Sequence, residues 1–225
     1  MLKPISWKDW FNRRADHYDN HLMKMSYHRD GVPYEINKIK RIADGVSKNL
    51  KLINNCKLLD VGSGTGVFYQ NLRPLPNSIT GMDISFNMIR DACKFKYNKT
   101  MVNGEASMLP FKSNSFDRIV CYSVFHYFDN LKYAENSINE FIRVINTNGL
   151  ILIGDVPFDD VNNKSITTRI PNYYCPEFLK HSLNILTYNP DFFIKYGKKN
   201  KIKCHILEQN CNQHTLGRFD VLIEV

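Results

Sequence analysis

The stretch Leu58–Gly66 reads LLDVGSGTG: an apolar run, an aspartate, and then glycine at every second position. A short apolar run that stops at such a turn is typical of a buried β-strand. Glycine lacks a Cβ and accepts positive φ, so the three glycines predict a tight turn that comes close to a ligand. We expect a helix over Val67–Arg73, ended by Pro74, whose free N–H groups face the same ligand.

A second acidic residue, Asp83, closes the next apolar segment, Ile79–Asp83, about 20 residues after Gly62. A carboxylate at the tip of the neighbouring strand is placed to accept hydrogen bonds from both hydroxyls of a ribose. Nicotinamide-binding proteins use G-x-G-x-x-G, but the sixth position here is Val67. The spacing therefore favours a different nucleoside cofactor.

The spacing G-x-G-x-G, with Asp60 two positions before the first glycine, resembles motif I of the class I S-adenosylmethionine (SAM)-dependent methyltransferases. Three further segments follow in the order of that family's small-molecule branch, methyltransferase type 11. They are GEASMLPF at Gly104–Phe111, SFDRIV at Ser115–Val120, and the helix-to-strand turn at Arg143–Ile153. The resemblance covers residues 55–155 closely. It implies SAM as the methyl donor and S-adenosylhomocysteine as its product.

The composition fits one domain with a decorated core, because 225 residues with 43% hydrophobic content suffice for a packed sheet. No apolar run approaches the roughly 18 residues of a membrane span, and the first residues lack the apolar centre of a signal peptide. We therefore expect a cytoplasmic protein with no membrane partner. Six cysteines without a C-x-x-C pair predict reduced thiols and no metal.

The net charge of +8 raises the question of a nucleic-acid partner. The densest basic run, Lys195–Lys203, closes a predicted helix and enters the next strand, at the edge of the sheet away from the ligand crevice. Cations there also suit the helix dipole. We expect a solvated helix end and no nucleic-acid partner, in a chain that acts as a monomer or homodimer.

Alternating strand and helix patterns predict an α/β fold, a doubly wound Rossmann-like sheet with a helical lid. The family resemblance implies seven strands in the order 3-2-1-4-5-7-6, with the seventh antiparallel. Ser85 is expected to cap a helix. The expected strands are 57–62, 78–83, 99–104, 116–122, 149–155, 203–209 and 218–225, and the expected helices are 65–73, 85–96, 131–145 and 190–200, with a further helical pattern at 34–46.

Two segments lie outside the predicted sheet. Residues 1–50 are interpreted as an N-terminal helical lid, and residues 51–225 as the SAM-binding core. Within the core, residues 156–189 lengthen a connection for which a few residues would suffice. Because both segments leave the sheet near its cofactor end, we expect them to form the lid and the acceptor cap.

Carried over position by position, the resemblance implies a set of cofactor contacts. The Gly62–Gly66 turn holds the methionine and ribose portion, Asp60 its ammonium, and Asp83 the ribose hydroxyls. Ile84 packs on the adenine, and Glu105 lies along its edge; for Asp60 and Glu105 a structural role is the alternative. The full expected set is Tyr18, Asp60, Gly62, Ser63, Gly64, Thr65, Gly66, Asp83, Ile84, Met88, Glu105, Ala106, Ser107, Cys121 and Ser123.

Tyr18 belongs to Phe11–Asp19, which resembles the opening of related methyltransferases whose tyrosine closes over SAM. Its alternative role is packing of an amphipathic helix on the sheet.

His126 follows the fourth strand and is the leading catalytic candidate, because an imidazole can take a proton from a hydroxyl or amine. Its alternative is to fix the loop by hydrogen bonding. Asp155 is expected to orient His126 or hold the acceptor, or else to cap the following turn.

Aromatic and basic residues in the two outer segments favour a phosphorylated or sugar-like acceptor. We expect O-methylation of an anionic or sugar-type metabolite, as in polysaccharide or secondary-metabolite biosynthesis. The alternatives are N-methylation of a small amine, an RNA or protein methyltransferase, and a NAD-binding or non-catalytic SAM-binding module. The candidate acceptor residues are Tyr27, His28, Arg29, Arg169, Tyr173 and Tyr174.

Overall fold

A seven-stranded sheet forms the centre of the computed structural model, which describes residues 5–26, 28–29, 32–95, 99–158, 185–209 and 217–225. The spatial order of the strands is 3-2-1-4-5-7-6, as expected, and β7 runs antiparallel to both neighbours. The strands are β1 (Lys57–Val61), β2 (Ser78–Asp83), β3 (Lys99–Asn103), β4 (Phe116–Tyr122), β5 (Ile145–Pro157), β6 (Lys203–Glu208) and β7 (Arg218–Glu224).

Helices cover both faces of this sheet. Short 3₁₀ helices lie at Tyr69–Asn71 and Phe125–Tyr127, and a two-residue antiparallel pair joins His28–Arg29 to Val32–Pro33. In the described parts of the chain, no helix is long and apolar enough to cross a membrane. The α-helices are α1 (Trp7–His17), α2 (His21–Lys24), α3 (Ile36–Asn49), α4 (Phe86–Ala92), α5 (Leu131–Val144) and α6 (Asp191–Asn200).

The core strands are apolar on both faces because each face carries helices. Leu58 packs with the cluster beneath α3, whereas the next residue, Leu59, packs with the cluster beneath α5 and α6. Both leucines are fully buried, and burying one such side chain contributes about 1.5–3 kcal/mol. The alternation of side chains along β1 therefore ties the two faces of the core together at its central strand.

The expected helix at 65–73 is wrong. Gly66 has a φ of +80°, which no α-helix accommodates, and the following residues form turns and the 3₁₀ helix Tyr69–Asn71. The segment also contains Val67, Phe68 and Tyr69, whose side chains lose rotamer freedom in a helix. All three are buried, so packing on the core fixes this short segment in place of a helical ladder.

Two element boundaries also differ from expectation. Helix α4 ends at Ala92 instead of residue 96, because Lys94 and Phe95 donate their N–H groups to carbonyls three residues back and close a tight turn. Strand β5 covers Ile145–Pro157 instead of 149–155, because its ends pair with β4 and β7 respectively. Ser85 caps α4 as expected, since its Oγ accepts from the Met88 N–H at 3.2 Å.

The N-terminal helices dock on α4 through polar contacts. The Asn12 Oδ1 accepts from the Ser85 Oγ at 2.7 Å, and Asp16 pairs with Arg90 at 2.8 Å. Lys24 pairs with the fully buried carboxyl of Asp91. Burial opposes ionisation of Asp91, but hydrogen bonds from the lysines around it outweigh burial and lower its pKa. The N-terminal segment is thus held by a charge pair that has little access to water.

We predict that Lys24→Met destabilises the protein by about 2 kcal/mol, because it leaves the buried Asp91 carboxylate with Lys94 as its nearest remaining cation. Urea unfolding checks this. The control is Lys132→Met, which removes an exposed pair with Glu135 and should change stability by less than about 0.5 kcal/mol. Equal effects of the two substitutions would contradict the docking role.

Candidate active site

The glycine turn after β1 is confined by its neighbours. Gly62 and Gly64 have φ values of +76° and +54°. A Cβ on Gly62 would lie 2.2 Å from Cγ2 of Val124, in the loop after β4. The N–H groups of Gly62 and Ser63 donate to the Met82 carbonyl at 2.7 and 3.0 Å. The turn therefore lies wedged between the ends of β2 and β4.

Most N–H groups of this turn are already bonded within the protein. Besides the two that donate to Met82, Gly64 donates to Oδ2 of Asp83 at 2.8 Å and Gly66 to the Ser63 carbonyl at 2.9 Å. The expected helix N-terminus with free N–H groups is absent from this described segment. The turn consequently presents bare Cα faces and carbonyl oxygens to a ligand.

Asp83 stands at the end of β2 with both carboxyl oxygens fixed. Its Oδ1 accepts from the Ser85 N–H and its Oδ2 from the Gly64 N–H, each at 2.8 Å. Burial raises the pKa of Asp83 to about 6, against the opposing effect of these two hydrogen bonds. Each oxygen keeps a second lone pair, so the carboxylate can accept two further hydrogen bonds.

Asp60 is buried one strand away, and its Oδ2 has no hydrogen-bond partner among the described residues. Burial and the charge of Asp83 raise the pKa of Asp60 to about 8. Ser63 Oγ and Thr65 Oγ1 are also buried without a described partner. Buried polar atoms in proteins are normally hydrogen-bonded, so this group of unmatched atoms fits a polar, cationic ligand portion beside the glycine turn.

A cavity of about 330 Å³ opens at the carboxyl ends of β1, β2 and β4. Its lining combines small and apolar groups with the Asp83 carboxylate, and it includes eight of the expected cofactor residues. These are Gly62, Gly64, Asp83, Ile84, Met88, Glu105, Ala106 and Ser123. A cleft of this size, mostly apolar with one fixed carboxylate, suits a small molecule.

The remaining expected cofactor residues are not among the described residues that line the cavity. Tyr18 packs under the guanidinium of Arg14, 4.9 Å from its ring centroid, and Ser107 hydrogen-bonds Tyr133 of the lining. The others are set back in the glycine turn and in β1 and β4. They are Asp60, Ser63, Thr65, Gly66 and Cys121. Their contacts with a cofactor stay predictions.

An aromatic wall of Trp7, Phe11 and Tyr127 completes the cavity, and sequence reasoning missed it as part of the site. The ring centroids of Trp7 and Phe11 lie 4.4 and 5.0 Å from that of Tyr127. The signal was the spacing of Trp7 and Phe11, four residues apart on one helical face. That spacing indicates a buried face but not the partner, which comes from the loop after β4.

The two catalytic candidates, His126 and Asp155, are both buried next to residues of the cavity lining. His126 is 4% exposed, and its Nδ1 lies 3.4 Å from Nη1 of Arg218. Asp155 is equally buried and accepts from the Ser123 Oγ at 2.6 Å. Ser123 lines the cavity, so the Asp155 carboxylate is connected to the cavity through the Ser123 hydroxyl. His126 is absent from the described lining.

The acceptor candidates cannot be placed in this cavity. Tyr27, Arg169, Tyr173 and Tyr174 lie outside the described residues, and so do the side chains of His28 and Arg29. The two latter residues contribute backbone to the short pair with Val32–Pro33. Their roles stay predictions.

Comparison with known proteins agrees with this geometry. Residues 59–153 match the family model Methyltransf_11, described as a methyltransferase domain. Two uncharacterized proteins of Methanocaldococcus jannaschii are similar in sequence. MJ0638 is 30% identical over 142 residues (62% of this chain, 59% of its own), and MJ1252 is 35% identical over 145 residues (64% and 49%). The chain thus spans about half the length of these curated relatives.

Solved structures share the fold. Phosphoethanolamine N-methyltransferase 1 of Haemonchus contortus, in complex with phosphoethanolamine and S-adenosylhomocysteine, superposes with a TM-score of 0.70 at 14% sequence identity. The superposition covers 96% of this chain and 47% of that one. At such low identity the likeness establishes the fold alone.

We predict that Asp60→Asn flattens the pH dependence of stability. With a native pKa of about 8, Asp60 stays protonated in the folded protein where the unfolded chain is ionised. The native state then binds one more proton, so wild-type stability falls by about 1.4 kcal/mol per pH unit from this residue as the pH rises toward 8.

Urea unfolding at several pH values between about 6 and 8 measures this effect as the difference in slope between wild type and Asp60→Asn, because Asp83, with a pKa of about 6, contributes to both curves. Asp44→Asn, at an exposed position of α3, is the matched control and should keep the wild-type slope. Parallel curves for wild type and Asp60→Asn would show that Asp60 is ionised in the native state and contradict the prediction.

Proposed function

We propose that the chain is a SAM-dependent methyltransferase that acts on a small-molecule acceptor, because residues 59–153 match the methyltransferase-domain family. SAM supplies a sulfonium-activated methyl group, so the work left to the protein is alignment and exclusion of water, worth about 7–11 kcal/mol in favourable cases. The observation that carries the proposal is the cavity that unites the Asp83 carboxylate with an aromatic wall.

On the donor side, the Asp83 carboxylate would accept hydrogen bonds from the two ribose hydroxyls with its remaining lone pairs. Asp60, with its unmatched Oδ2, would face the methionine ammonium, directly or through water. Ile84 and Met88 would pack on the adenine, and Glu105 would lie at its edge. Support for these roles comes from the chemistry of the groups, since a carboxylate suits hydroxyls and an ammonium while apolar side chains suit a ring.

On the acceptor side, residues 1–50 would act as the lid, and 156–189 as the cap on the core of residues 51–225. Trp7, Phe11 and Tyr127 support the lid role, because three contacting rings exclude water from one side of the cavity. Tyr27, His28, Arg29, Arg169, Tyr173 and Tyr174 remain the candidates for acceptor contacts.

We propose an anionic or sugar-type acceptor that is methylated on oxygen. The net charge of +8 is compatible with an anionic substrate, and Lys8 brings a cation to the cavity. The Haemonchus contortus structure holds phosphoethanolamine, a phosphorylated small molecule, which keeps N-methylation of an amine as the second candidate.

For a hydroxyl acceptor, Ser123 and Asp155 would form a proton path. Ser123 would accept the hydroxyl proton as it passes its own proton to the Asp155 carboxylate, 2.6 Å away. Arg218, 3.3 Å from the same carboxylate oxygen, keeps this carboxylate fixed. Asp155 would later return the proton to water.

We predict that Asp83→Ala weakens S-adenosylhomocysteine binding about a hundredfold or more, because two hydrogen bonds to a charged acceptor are lost. Isothermal titration of the purified protein measures it. The control is Asp129→Ala, a second carboxylate of the same lining for which no ligand contact is proposed, and this variant should bind normally. NAD serves as the competing ligand; binding of NAD alone, or of neither ligand, would overturn the proposal.

We predict that Ser123→Ala slows methyl transfer to a hydroxyl acceptor, measured at saturating SAM because Ser123 also belongs to the expected cofactor contacts. The loss should be about a hundredfold or more, since a positioned proton acceptor contributes about 10²–10⁴-fold. Radiolabelled SAM with sugar phosphates, small hydroxy acids and phosphoethanolamine provides the assay. Unchanged turnover in Ser123→Ala would remove Ser123 and Asp155 from the reaction, and a methylated amine product would favour the second candidate.

A further inference from the structure

His126 lies where three parts of the chain meet. It sits in the 3₁₀ helix Phe125–Tyr127, directly after β4, and is almost fully buried. Its backbone carbonyl accepts from the Leu186 N–H at 2.9 Å, which fixes the start of the segment leading to α6. Its imidazole lies against Arg218 on one side and Tyr127 on the other.

On the Arg218 side the contacts are rigid. Nη1 of Arg218 donates to the Asp155 carbonyl at 2.7 Å and approaches the Asp155 Oδ2 at 3.3 Å. Asp155 is held further by its N–H, which donates to the Asp220 carboxylate at 2.8 Å. Asp155 and Ser123 both have φ near +60°, a costly conformation for a residue with a side chain. Strain of this kind persists where the surroundings enforce a particular arrangement.

On the other side the contacts lead to the cavity. The ring centroids of His126 and Tyr127 are 4.0 Å apart, and Tyr127 belongs to the cavity wall. Tyr127 in turn contacts Trp7 and Phe11 of the lid helix α1 at 4.4 and 5.0 Å. A continuous series of contacts thus runs from Arg218 at the start of β7, through His126, to the lid helix α1.

The Arg218 guanidinium next to Nδ1 determines the tautomer of the His126 imidazole. A guanidinium has N–H donors and no acceptor, so the Nδ1 that faces Arg218 must present a lone pair. A neutral histidine with a lone pair on Nδ1 carries its proton on Nε2. In that tautomer Nε2 has no lone pair with which to accept a proton from a substrate.

We propose that His126 is a positioning residue, in which Arg218 fixes the imidazole through Nδ1 and the imidazole holds the Tyr127 ring against Trp7. The inference deepens the proposed function, since it assigns the acceptor-side wall of the same cavity to this contact series. In this proposal His126 does not take a proton from the substrate; it holds the rings of the cavity wall in position.

The same residues anchor the stretch expected to cap the acceptor. Phe158 donates its N–H to the Gly217 carbonyl at 2.7 Å, next to Arg218. Tyr188 donates its N–H to the Pro157 carbonyl at 2.9 Å and its hydroxyl to the Phe125 carbonyl at 2.8 Å. Both described ends of the expected cap therefore attach beside His126, so the wall and the cap share one anchoring point.

The first test reads the imidazole directly. Long-range ¹H–¹⁵N spectra of ¹⁵N-histidine-labelled protein, assigned by loss of signals in His126→Gln, should show a lone-pair nitrogen at Nδ1 and a protonated Nε2. Arg218→Met should reduce this preference toward that of a free histidine, and Arg218→Lys should restore it in part. A protonated Nδ1 in the wild-type protein overturns the proposal.

The second test reads the wall. In a Trp10→Phe background, Trp7 is the remaining tryptophan, so its acrylamide quenching reports whether Tyr127 still covers it. His126→Gln and Arg218→Met should raise quenching, while His205→Gln, an exposed histidine of β6, should not. Unchanged quenching in both His126→Gln and Arg218→Met overturns the positioning role.

Thermal midpoints of the same variants separate a local change of the wall from a general loss of fold. Because neither readout needs SAM or an acceptor, failure of this inference is distinguishable from failure of the proposed function. Titration of S-adenosylhomocysteine into wild-type protein tests the latter by itself.

Discussion

The site depends on two carboxyl groups buried at the ends of neighbouring strands. Moving an ionised carboxylate out of water is costly unless it is paired or hydrogen-bonded. Asp83 is stabilised by two backbone N–H groups, whereas Asp60 keeps an oxygen without a described partner and a pKa of about 8. The fold thus tolerates an unfavourable group at the glycine turn, which is intelligible if a cationic ligand compensates it.

The parallel sheet explains why these groups meet. Strands β1, β2 and β4 run in one direction, so their carboxyl ends lie at one edge, where loops can converge on a ligand. The glycine turn brings β1 against Val124, and the same loop carries Ser123 and Tyr127 into the cavity. Apolar packing beneath α5 and α3 holds these strands in their relative positions. The packing of the core therefore determines where the site lies.

The sequence predicts what local patterns determine. The cap at Ser85 and the lining position of Asp83 follow from motifs whose residues are close along the chain, and the strand order follows from the family resemblance that such motifs carry. The helix expected after the turn fails because Gly66 adopts positive φ and three bulky residues pack inward instead. The aromatic wall and the Arg218–His126 contact join residues about a hundred or more positions apart, and no local pattern records such pairings.

The central claim is that the cavity between Asp83 and the aromatic wall holds the methyl donor. A crystal structure of the protein with S-adenosylhomocysteine tests it most directly. The account predicts the ribose hydroxyls on the Asp83 carboxylate and the amino group of the ligand toward Asp60. Ligand density elsewhere, or a ribose that makes no contact with Asp83, would contradict it.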